Sequence, residues 1–432
     1  MVKRKFNPAF KSILFLILAG GFLMPPVRAD DVIALKVGTL LKGNGEALKN
    51  AMIIIKDGKI EFVGVNYPVP KGTNILEFKE SVATPGFIAA NAYLHISPET
   101  KEVFTYSRED IYEYRIEKIP ALNEERSETT PEMNLLYSID PHSEDFARAW
   151  RSGVTCVYLA PGNLNVYNGT GTVLKTWGQS PQNMAVRNMV QIKVTLGEEP
   201  AVGTGGRGSD PDLHTRRPQN RMGVDSIFRQ ALIDLQNKSE LPDSQLNPQE
   251  LLFRKVLRGE IPLRIRARSY VDIKAALRYG EEFGFKWILE EGVDAYKYLD
   301  DLKNKNVPVI YGPVYRPKGR FDFNSENDFY RAQTPILLAK KGILFAFQND
   351  SRSPISALRD EAIYAVKLGL DEESALKALT FHAAKILGVE DRIGTVEKGK
   401  DADLLIFSGD PFSPSSRLEK VLINNKILDP NK

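Results

Sequence analysis

The order of apolar and polar positions predicts a long central region of alternating strands and helices. Six apolar, strand-like runs recur in the middle of the chain, at residues 154–159, 190–196, 262–267, 285–289, 307–311 and 343–347. Amphipathic patterns with a helical period occur at residues 226–237, 271–283, 293–304, 355–368 and 372–387. Repeated strand-then-helix units over about 300 residues are typical of a parallel sheet, and this length suits an α/β fold of the (β/α)8 TIM barrel type.

Both ends of the chain show short strand patterns separated by turn residues. Alternating runs flank Asp57-Gly58, a pair typical of a two-residue hairpin turn. Near the other end, residues 394–428 are also rich in strand patterns, with Asn424-Asn425 as a turn candidate. We therefore expect one small composite β-sandwich domain built from both termini.

The first 29 residues are typical of an export signal. They contain five basic residues, an apolar run at 13–24 and Val27-Arg28-Ala29, with no acid before Asp30. This order predicts a cleaved secretory signal, since the alternative, an uncleaved membrane anchor, would need about 20 apolar residues. We expect the mature protein in the periplasm or outside the cell, with no membrane attachment after cleavage.

Charge and cysteine content bear on nucleic-acid binding and on disulfide formation. The formal net charge is +3, but 53 basic and 55 acidic residues remain once the N-terminal segment is removed. Nothing in this balance favours nucleic-acid binding. Cys156 is the sole cysteine, which excludes an internal disulfide. The chain thus divides into a signal peptide, a composite β-sandwich domain and a barrel, at residues 1–29, 30–84 plus 388–432, and 85–387.

The run 85–94 holds the first residues that point to chemistry. It has the sequence Pro-Gly-Phe-Ile-Ala-Ala-Asn-Ala-Tyr-Leu, and on a strand Asn91 and Tyr93 would point to the same side. Further motifs are Gly38-Thr-Leu-Leu, Asp57-Gly-Lys-Ile, the Leu-Arg-x-Glu-Ala at 358–362, and the long run 378–404, which ends in Thr-Val-Glu-Lys-Gly-Lys-Asp-Ala-Asp-Leu. In these motifs the chain resembles the amidohydrolase superfamily, in its imidazolonepropionase-like group, over essentially the whole mature length.

The resemblance implies a metal-dependent hydrolase barrel joined to a composite β-sandwich. Members of the family hold one or two divalent metals with a His-x-His pair on strand 1, often a modified Lys or a Glu on strand 4, one His each on strands 5 and 6, and an Asp on strand 8. The metal makes hydroxide from water near neutral pH and polarises the carbon–nitrogen bond to be cut, while the Asp moves protons.

This chain departs from the family pattern at most ligand positions. Asn91 and Tyr93 stand where the His-x-His pair is expected. Arg266 stands at the strand 5 position and Glu291 at the strand 6 position. Neutral amide and phenol groups are poor ligands for a divalent transition metal. We therefore expect no metal or other cofactor at this centre.

Two positions still match the family, and their charges suggest what replaces the metal. Asp350 stands at the strand 8 position as the catalytic candidate, and Lys193 lies on the expected fourth strand. Buried carboxylates without a counter-charge are costly, and Arg266 with Arg268 can supply that charge to Asp350 and Glu291. The hypothesis is an internal ion-pair network in place of the metal centre. The binding-site candidates are Asn91, Tyr93, Lys193, Arg266, Arg268 and Glu291.

The remaining motifs are less informative. The histidines lack the paired spacing of metal ligands, so each is expected to be structural or solvent-facing: His95, His142, His214 and His382. Residues 203–220 are rich in Gly, Pro and Arg and predict a long loop at the barrel mouth. Attraction of an anionic ligand and simple solvation both remain open for the arginines of this stretch, Arg207, Arg216, Arg217 and Arg221.

Three functions are compatible with the sequence. The favoured one is an exported, catalytically degenerate homologue that binds a small molecule at the barrel mouth, or supports an active paralogue in a hetero-oligomer; a homo-oligomer is also open. The second is an active hydrolase of non-peptide carbon–nitrogen bonds, or of dipeptides, with an atypical site at Asp350, Glu291 and Lys193 and a single divalent metal. The third is a binding protein that keeps the barrel only as a scaffold.

Overall fold

Two large sheets and a short hairpin contain the strands of the described chain. The computed structural model describes residues 32–69, 73–94, 100–106, 112–118, 124, 127–202, 217–314, 330–349 and 354–432. The strands are β1 (Val32–Leu41), β2 (Ala47–Lys56), β3 (Lys59–Gly64), β4 (Asn74–Pro85), β5 (Phe87–Ala89), β6 (Thr100–Tyr106), β7 (Tyr112–Lys118), β8 (Val154–Leu159), β9 (Tyr167–Lys175), β10 (Ala185–Thr195), β11 (Leu263–Ala267), β12 (Trp287–Glu291), β13 (Val309–Tyr311), β14 (Phe345–Phe347), β15 (Leu404–Phe407), β16 (Leu418–Ile423) and β17 (Lys426–Leu428). The helices are α1 (Glu144–Arg151), α2 (Pro181–Met184), α3 (Glu199–Val202), α4 (Arg221–Gln236), α5 (Pro248–Leu257), α6 (Tyr270–Phe283), α7 (Leu299–Asn304), α8 (Thr334–Lys341), α9 (Leu358–Lys367), α10 (Glu372–Leu379) and α11 (Phe381–Ile386).

The central region forms an eight-stranded barrel sheet, as predicted. Its order is β5-β8-β9-β10-β11-β12-β13-β14, which follows the chain around the wall. The first and last strands meet where the backbone N–H of Ala90 donates to the carbonyl of Phe347 at 3.2 Å. Each of the six predicted strand runs overlaps a strand of this wall.

One strand of the wall runs against the prediction of an all-parallel sheet. β9 pairs antiparallel with both β8 and β10. Only residues 160–166 separate β8 from β9, and a parallel pair needs a crossover of a dozen residues or more. The short link therefore sends the chain straight back beside β8.

Strands from both ends of the chain share one seven-stranded sheet. Its order is β17-β16-β15-β4-β1-β2-β3, and β15 pairs antiparallel with β4. Both predicted turns are present with positive φ at both central residues, 51° and 74° at Asp57 and Gly58, and 49° and 60° at Asn424 and Asn425. Such backbone angles match the right-handed twist of the flanking strands. The prediction of a barrel plus a β domain built from both termini is confirmed.

Several helices differ from the sequence prediction. The helix expected at 372–387 is two helices, because Thr380 leaves the helical region at φ −133° and ψ −92°. Its hydroxyl donates to the carbonyl of Leu376 at 2.6 Å, so the side chain caps the end of α10. The helix expected at 293–304 is a 3-10 turn, Ala295–Lys297, followed by the short α7. The β6–β7 hairpin has no counterpart in the sequence prediction.

The inward face of the barrel is apolar towards the amino ends of the strands. Ile88, Cys156, Ile288 and Ile310 belong to one buried cluster that also includes side chains of α11. On β12 the next inward position after Ile288 is Glu290, so charge replaces the apolar layer towards the carboxyl ends. Among the described residues, no helix is long and apolar enough to cross a bilayer.

Lys175, the last residue of β9, joins the barrel to the β-sheet domain. Its ammonium lies 2.9 Å from Asp401 Oδ2 and 3.0 Å from Asp403 Oδ1, and all three residues are buried. Arg392 also pairs with Asp401, at 2.8 Å, and Lys59 reaches the same carboxylate. Burial alone would lower the pKa of Lys175, but the two carboxylates outweigh it and raise that pKa above its ordinary value. We call Lys175, Asp401 and Asp403 the junction cluster.

Candidate functional site

The candidate residues of strands 4, 5 and 6 lie at the carboxyl ends of the barrel strands. Lys193 belongs to β10, the fourth strand of the wall, and Arg266 to β11, the fifth. Glu291 is the last residue of β12, and Arg268 follows β11. Neighbouring strands therefore bring these four side chains to one end of the barrel.

Several sequence predictions fall outside the described residues. They are the signal peptide 1–29, the loop at 203–216 with Arg207 and Arg216, the histidines His95 and His214, and the catalytic candidate Asp350.

Asn91 and Tyr93 do not lie on a strand, contrary to the prediction. β5 ends at Ala89, and the two residues occupy the segment that follows it. The backbone N–H of Ala92 donates to the carbonyl of Tyr158 at 3.0 Å, which holds this segment against the end of β8. The two side chains consequently have different surroundings.

Tyr93, Arg266, Arg268 and Glu291 form a group that we call the mouth cluster. Glu291 accepts from Arg266 Nε at 2.8 Å and from the Tyr93 hydroxyl at 3.2 Å, both at Oε1. Its other oxygen, Oε2, lies 3.2 Å from Arg268 Nε. Arg266 also pairs with Glu199, the first residue of α3. Both oxygens of the strand 6 carboxylate are thus engaged by guanidinium groups.

The backbone at the end of β12 explains how Glu291 reaches these partners. Consecutive residues of a strand point to opposite faces, so Glu290 and Glu291 would be expected to diverge. Glu291 has a left-handed φ of 66°, and Gly292 follows at 43°. This turn redirects the strand end, and both carboxylates meet arginines of β11.

Electrostatics keep Glu291 ionised and Tyr93 protonated. Burial alone would raise the pKa of Glu291, but Arg266 and Arg268 outweigh it and lower that pKa to about 2. Burial, together with the charges of Glu291 and Glu290, raises the pKa of Tyr93 well above its ordinary value. The phenol therefore keeps its proton and donates a hydrogen bond to the carboxylate.

The lowered pKa of Glu291 predicts a loss of stability in acid. The ion pairs contribute fully above the ordinary pKa of 4.5 and are lost as the pH falls from there towards about 2. Wild type should therefore be more stable than Glu291→Gln at neutral pH, and the difference should shrink below about pH 4.5. Urea unfolding at a series of pH values measures it. Glu144→Gln, at an exposed surface pair with Arg148, is the control; a difference for Glu291→Gln that is constant with pH would contradict the assignment.

A second charged group lies deeper, formed by Lys193, Arg264 and Glu290, and we call it the interior cluster. Their exposed fractions are 1%, 0% and 0%. Lys193 pairs with Glu290 Oε1 and Arg264 with Oε2. Arg264 also donates to the carbonyl of Ala90 at 2.7 Å and to Gln191 Oε1 at 3.2 Å. Two cations and one carboxylate are therefore held in a fully closed space.

The interior cluster shows the partner of Lys193. One of the sequence-based alternatives placed Lys193 with Glu291 and Asp350 in one atypical site, and the Lys193 ammonium pairs with Glu290. Arg264 and Glu290 were missed, although the period of two along a strand places Arg264 on the same face as Arg266. Glu290 could not be found in the same way. Consecutive residues of a strand point to opposite faces, so the period of two does not predict that Glu290 and Glu291 both lie at the centre of the barrel.

Uncharged amides complete the described part of the mouth. Asn163 Nδ2 donates to the Tyr93 hydroxyl at 3.3 Å. Asn91 is buried, and its Nδ2 has no hydrogen-bond partner among the described residues. Gln348, directly after β14, donates to the carbonyl of Gly312 at 3.1 Å. Polar side chains that can hydrogen-bond thus accompany the ion pairs.

The described histidines are placed as structural or surface residues. His142 is exposed, and His382 of α11 packs against the ring of Phe345. Burial, with Lys377 and Lys385 nearby, lowers the pKa of His382 to about 4, so the ring is neutral at pH 7. Within the part of the chain that the structure describes, no three His, Cys, Asp or Glu side chains are grouped to hold a metal ion.

Comparison with known proteins gives matches across most of the chain. Residues 331–429 match the model of the amidohydrolase family. Imidazolonepropionase of Legionella pneumophila (strain Corby) is 24% identical over 409 residues, which cover 88% of this chain and 93% of that protein. Amidohydrolase tasK of Hapsidospora irregularis is 23% identical over 329 residues, and the match spans 67% of this chain but 31% of tasK.

The similarity also holds in three dimensions. The crystal structure of an amidohydrolase from Thermotoga maritima MSB8 is 30% identical to this chain and superposes with a TM-score of 0.79. The alignment covers 92% of this chain and 99% of that structure. Barrel and β-sheet domain therefore both take part in the match.

Proposed function

The chain belongs to the amidohydrolase superfamily, and from that premise we propose that it is an exported, catalytically degenerate member that binds a small molecule at the barrel mouth. The fold alone does not decide activity, so the proposal depends on the side chains of the site. A role as partner subunit of an active paralogue would use the same scaffold.

The single observation that carries the proposal is the engagement of Glu291. This residue stands at the strand 6 ligand position, and its oxygens face Arg266 Nε at 2.8 Å and Arg268 Nε at 3.2 Å. Guanidinium groups remain charged under all conditions in which proteins fold, and their geometry suits carboxylates. A metal ion at this position would have to displace two arginines from one carboxylate.

In the interior cluster, too, cations already engage both oxygens of a carboxylate. Both oxygens of Glu290 are held, by Lys193 and Arg264. A divalent cation nearby would be repelled by these cations and by those of the mouth cluster, and repulsion is strong in a poorly solvated interior. The described side chains of this centre therefore do not fit the family's metal, and no step of metal-assisted hydrolysis follows from them.

Elemental analysis and an activity panel test the proposal together. We expect the purified mature protein to contain well below one equivalent of divalent metal per chain, because the carboxylates already hold cations. We also expect no turnover of amides, cyclic ureas or dipeptides, with or without added zinc, manganese or magnesium. The same preparation tests export, since cleavage after Ala29 leaves Asp30 as the first residue.

Matched aspartate variants decide between this proposal and an active hydrolase. Asp350→Asn removes the catalytic candidate, and Asp391→Asn removes an exposed carboxylate that pairs with Arg187. One metal per chain, with turnover that is lost in Asp350→Asn and kept in Asp391→Asn, would overturn the proposal.

A further inference from the structure

A row of alternating cations and tyrosine rings extends from the mouth cluster to the surface. It consists of Arg268, Tyr330, Arg331, Tyr296, Lys297 and Tyr270, where Tyr330 and Arg331 are linked as consecutive residues, and we call it the cation–tyrosine row. The Arg268 guanidinium carbon lies 5.6 Å from the ring centre of Tyr330, and that of Arg331 lies 4.7 Å from the ring centre of Tyr296. Lys297 Nζ lies 5.5 Å from Tyr296 and 4.9 Å from Tyr270. These distances are typical of cation–π contacts.

Buried groups hold the row in place. The hydroxyl of Tyr311, on β13, donates to the carbonyl of Arg331 at 2.9 Å and accepts from its N–H at 3.1 Å. Asp294 is buried, lies 3.1 Å from Lys297 Nζ and accepts from the backbone N–H of Tyr270 at 2.9 Å. Little conformational freedom of this backbone would therefore be lost on binding a ligand.

Arg331 differs from the other two cations of the row. Arg268 pairs with Glu291 and Lys297 with Asp294, so their charges are balanced locally. Arg331 is exposed, and no carboxylate of the described residues forms an ion pair with it. Within the described residues, the row therefore presents one positive charge without an ion-pair partner, and this charge lies over the ring of Tyr296.

We propose that the cation–tyrosine row binds a small aromatic carboxylate, with the carboxylate on Arg331 and the flat ring against the neighbouring tyrosines. The planar guanidinium can donate two parallel hydrogen bonds to a carboxylate, and tyrosine rings pack well against flat apolar faces. A single excess charge suits a monoanion, whereas nucleic acids need many cations. This inference deepens the proposed ligand-binding function and rests on it, since it names the ligand class of the mouth.

Titration of the full mature chain with 2-naphthoate tests the site. Saturable binding is expected, followed by calorimetry or by naphthoate fluorescence. Arg331→Gln should weaken it about tenfold or more, the usual size of a lost charge-assisted contact. Arg331→Lys should retain part of the affinity. Tyr296→Leu should also weaken binding, because the ring over which the Arg331 guanidinium lies is lost.

Two controls separate charge and position from general effects. Arg151→Gln removes another exposed arginine over an aromatic ring, 5.0 Å from Trp150, and should leave the affinity unchanged. 2-Naphthamide has the same shape without the charge and should bind much more weakly. Equal binding of the amide, equal affinity in Arg331→Gln, or no naphthoate binding to wild type would each overturn the site.

The failure of this site and the failure of the proposed function can be told apart. If the protein held metal and hydrolysed amides but still bound naphthoate through Arg331, only the proposed absence of catalysis would be overturned. A metal-free, inactive protein without naphthoate binding would overturn only the ligand class.

Discussion

Replacing Glu290 by glutamine is expected to lower the free energy of unfolding by about 3–5 kcal/mol at neutral pH, the usual cost of breaking a buried ion pair. The change removes the carboxylate that pairs with both Lys193 and Arg264 in a closed interior. Even in wild type, burial lowers the pKa of Lys193. In the variant this pKa should fall further, so the unfolded chain binds more protons and the stability of the variant should recover as the pH rises.

Urea unfolding of a matched series measures this effect. Lys193→Met leaves Glu290 and Arg264 paired one to one, so it should cost less than Glu290→Gln. Glu281→Gln breaks a surface pair between Lys305 and the Glu281 carboxylate, which is 62% exposed, and should change little. If Glu290→Gln were as stable as Glu281→Gln, the interior cluster would contribute nothing through its charges.

Replacing Lys175 by methionine is expected to destabilise the folded chain by a similar amount, about 3–5 kcal/mol at neutral pH. Asp401 would keep Arg392 and Lys59, but Asp403 would lose its ion-pair partner within the described residues. Burial, with Asp401 nearby, already raises the pKa of Asp403 above its ordinary 3.8 despite Lys175. Without Lys175 the folded state should hold this proton more strongly, so the variant should lose stability as the pH rises from about 3.8.

Unfolding of Lys175→Met at about pH 4 and about pH 7 tests the sign of this dependence. The deficit relative to wild type should be small in acid and large at neutrality. Tryptophan fluorescence is a suitable probe, because the carbonyl of Trp177 accepts from Asn424 Nδ2 of the β-sheet domain at 2.7 Å. Lys36→Met, in an exposed pair with Glu77, is the control. A deficit independent of pH would show that buried charge is not the cause.

Local sequence rules predicted the wall of the barrel and the turns of the β domain. Asp57-Gly58 and Asn424-Asn425 take the left-handed angles that these residue types tolerate. The reversed strand β9 was missed because Tyr-Asn-Gly-Thr-Gly-Thr, its first six residues, has little apolar character. The direction of a strand also depends on what connects it to its neighbour, which a periodic pattern does not contain.

The candidate site was predictable only where partners lie on adjacent strands. Arg266 and Glu291 stand at the ends of neighbouring strands, so family positions sufficed to bring them together. Glu290 reaches Lys193 and Arg264 because the left-handed turn falls at Glu291 and not earlier. The cation–tyrosine row joins three segments that are distant in sequence, and no local pattern connects them.

The side chains at the centre of the barrel also act as internal braces. The wall closes between its first and last strands at the Ala90–Phe347 bond, beside three-residue strands. Arg264 crosses the interior to the carbonyl of Ala90, and Tyr93 crosses it to Glu291. Introducing histidine at position 93 or 291 alone would remove such a brace before a complete set of metal ligands existed. Stepwise construction of a metal site at this centre would therefore pass through less stable intermediates.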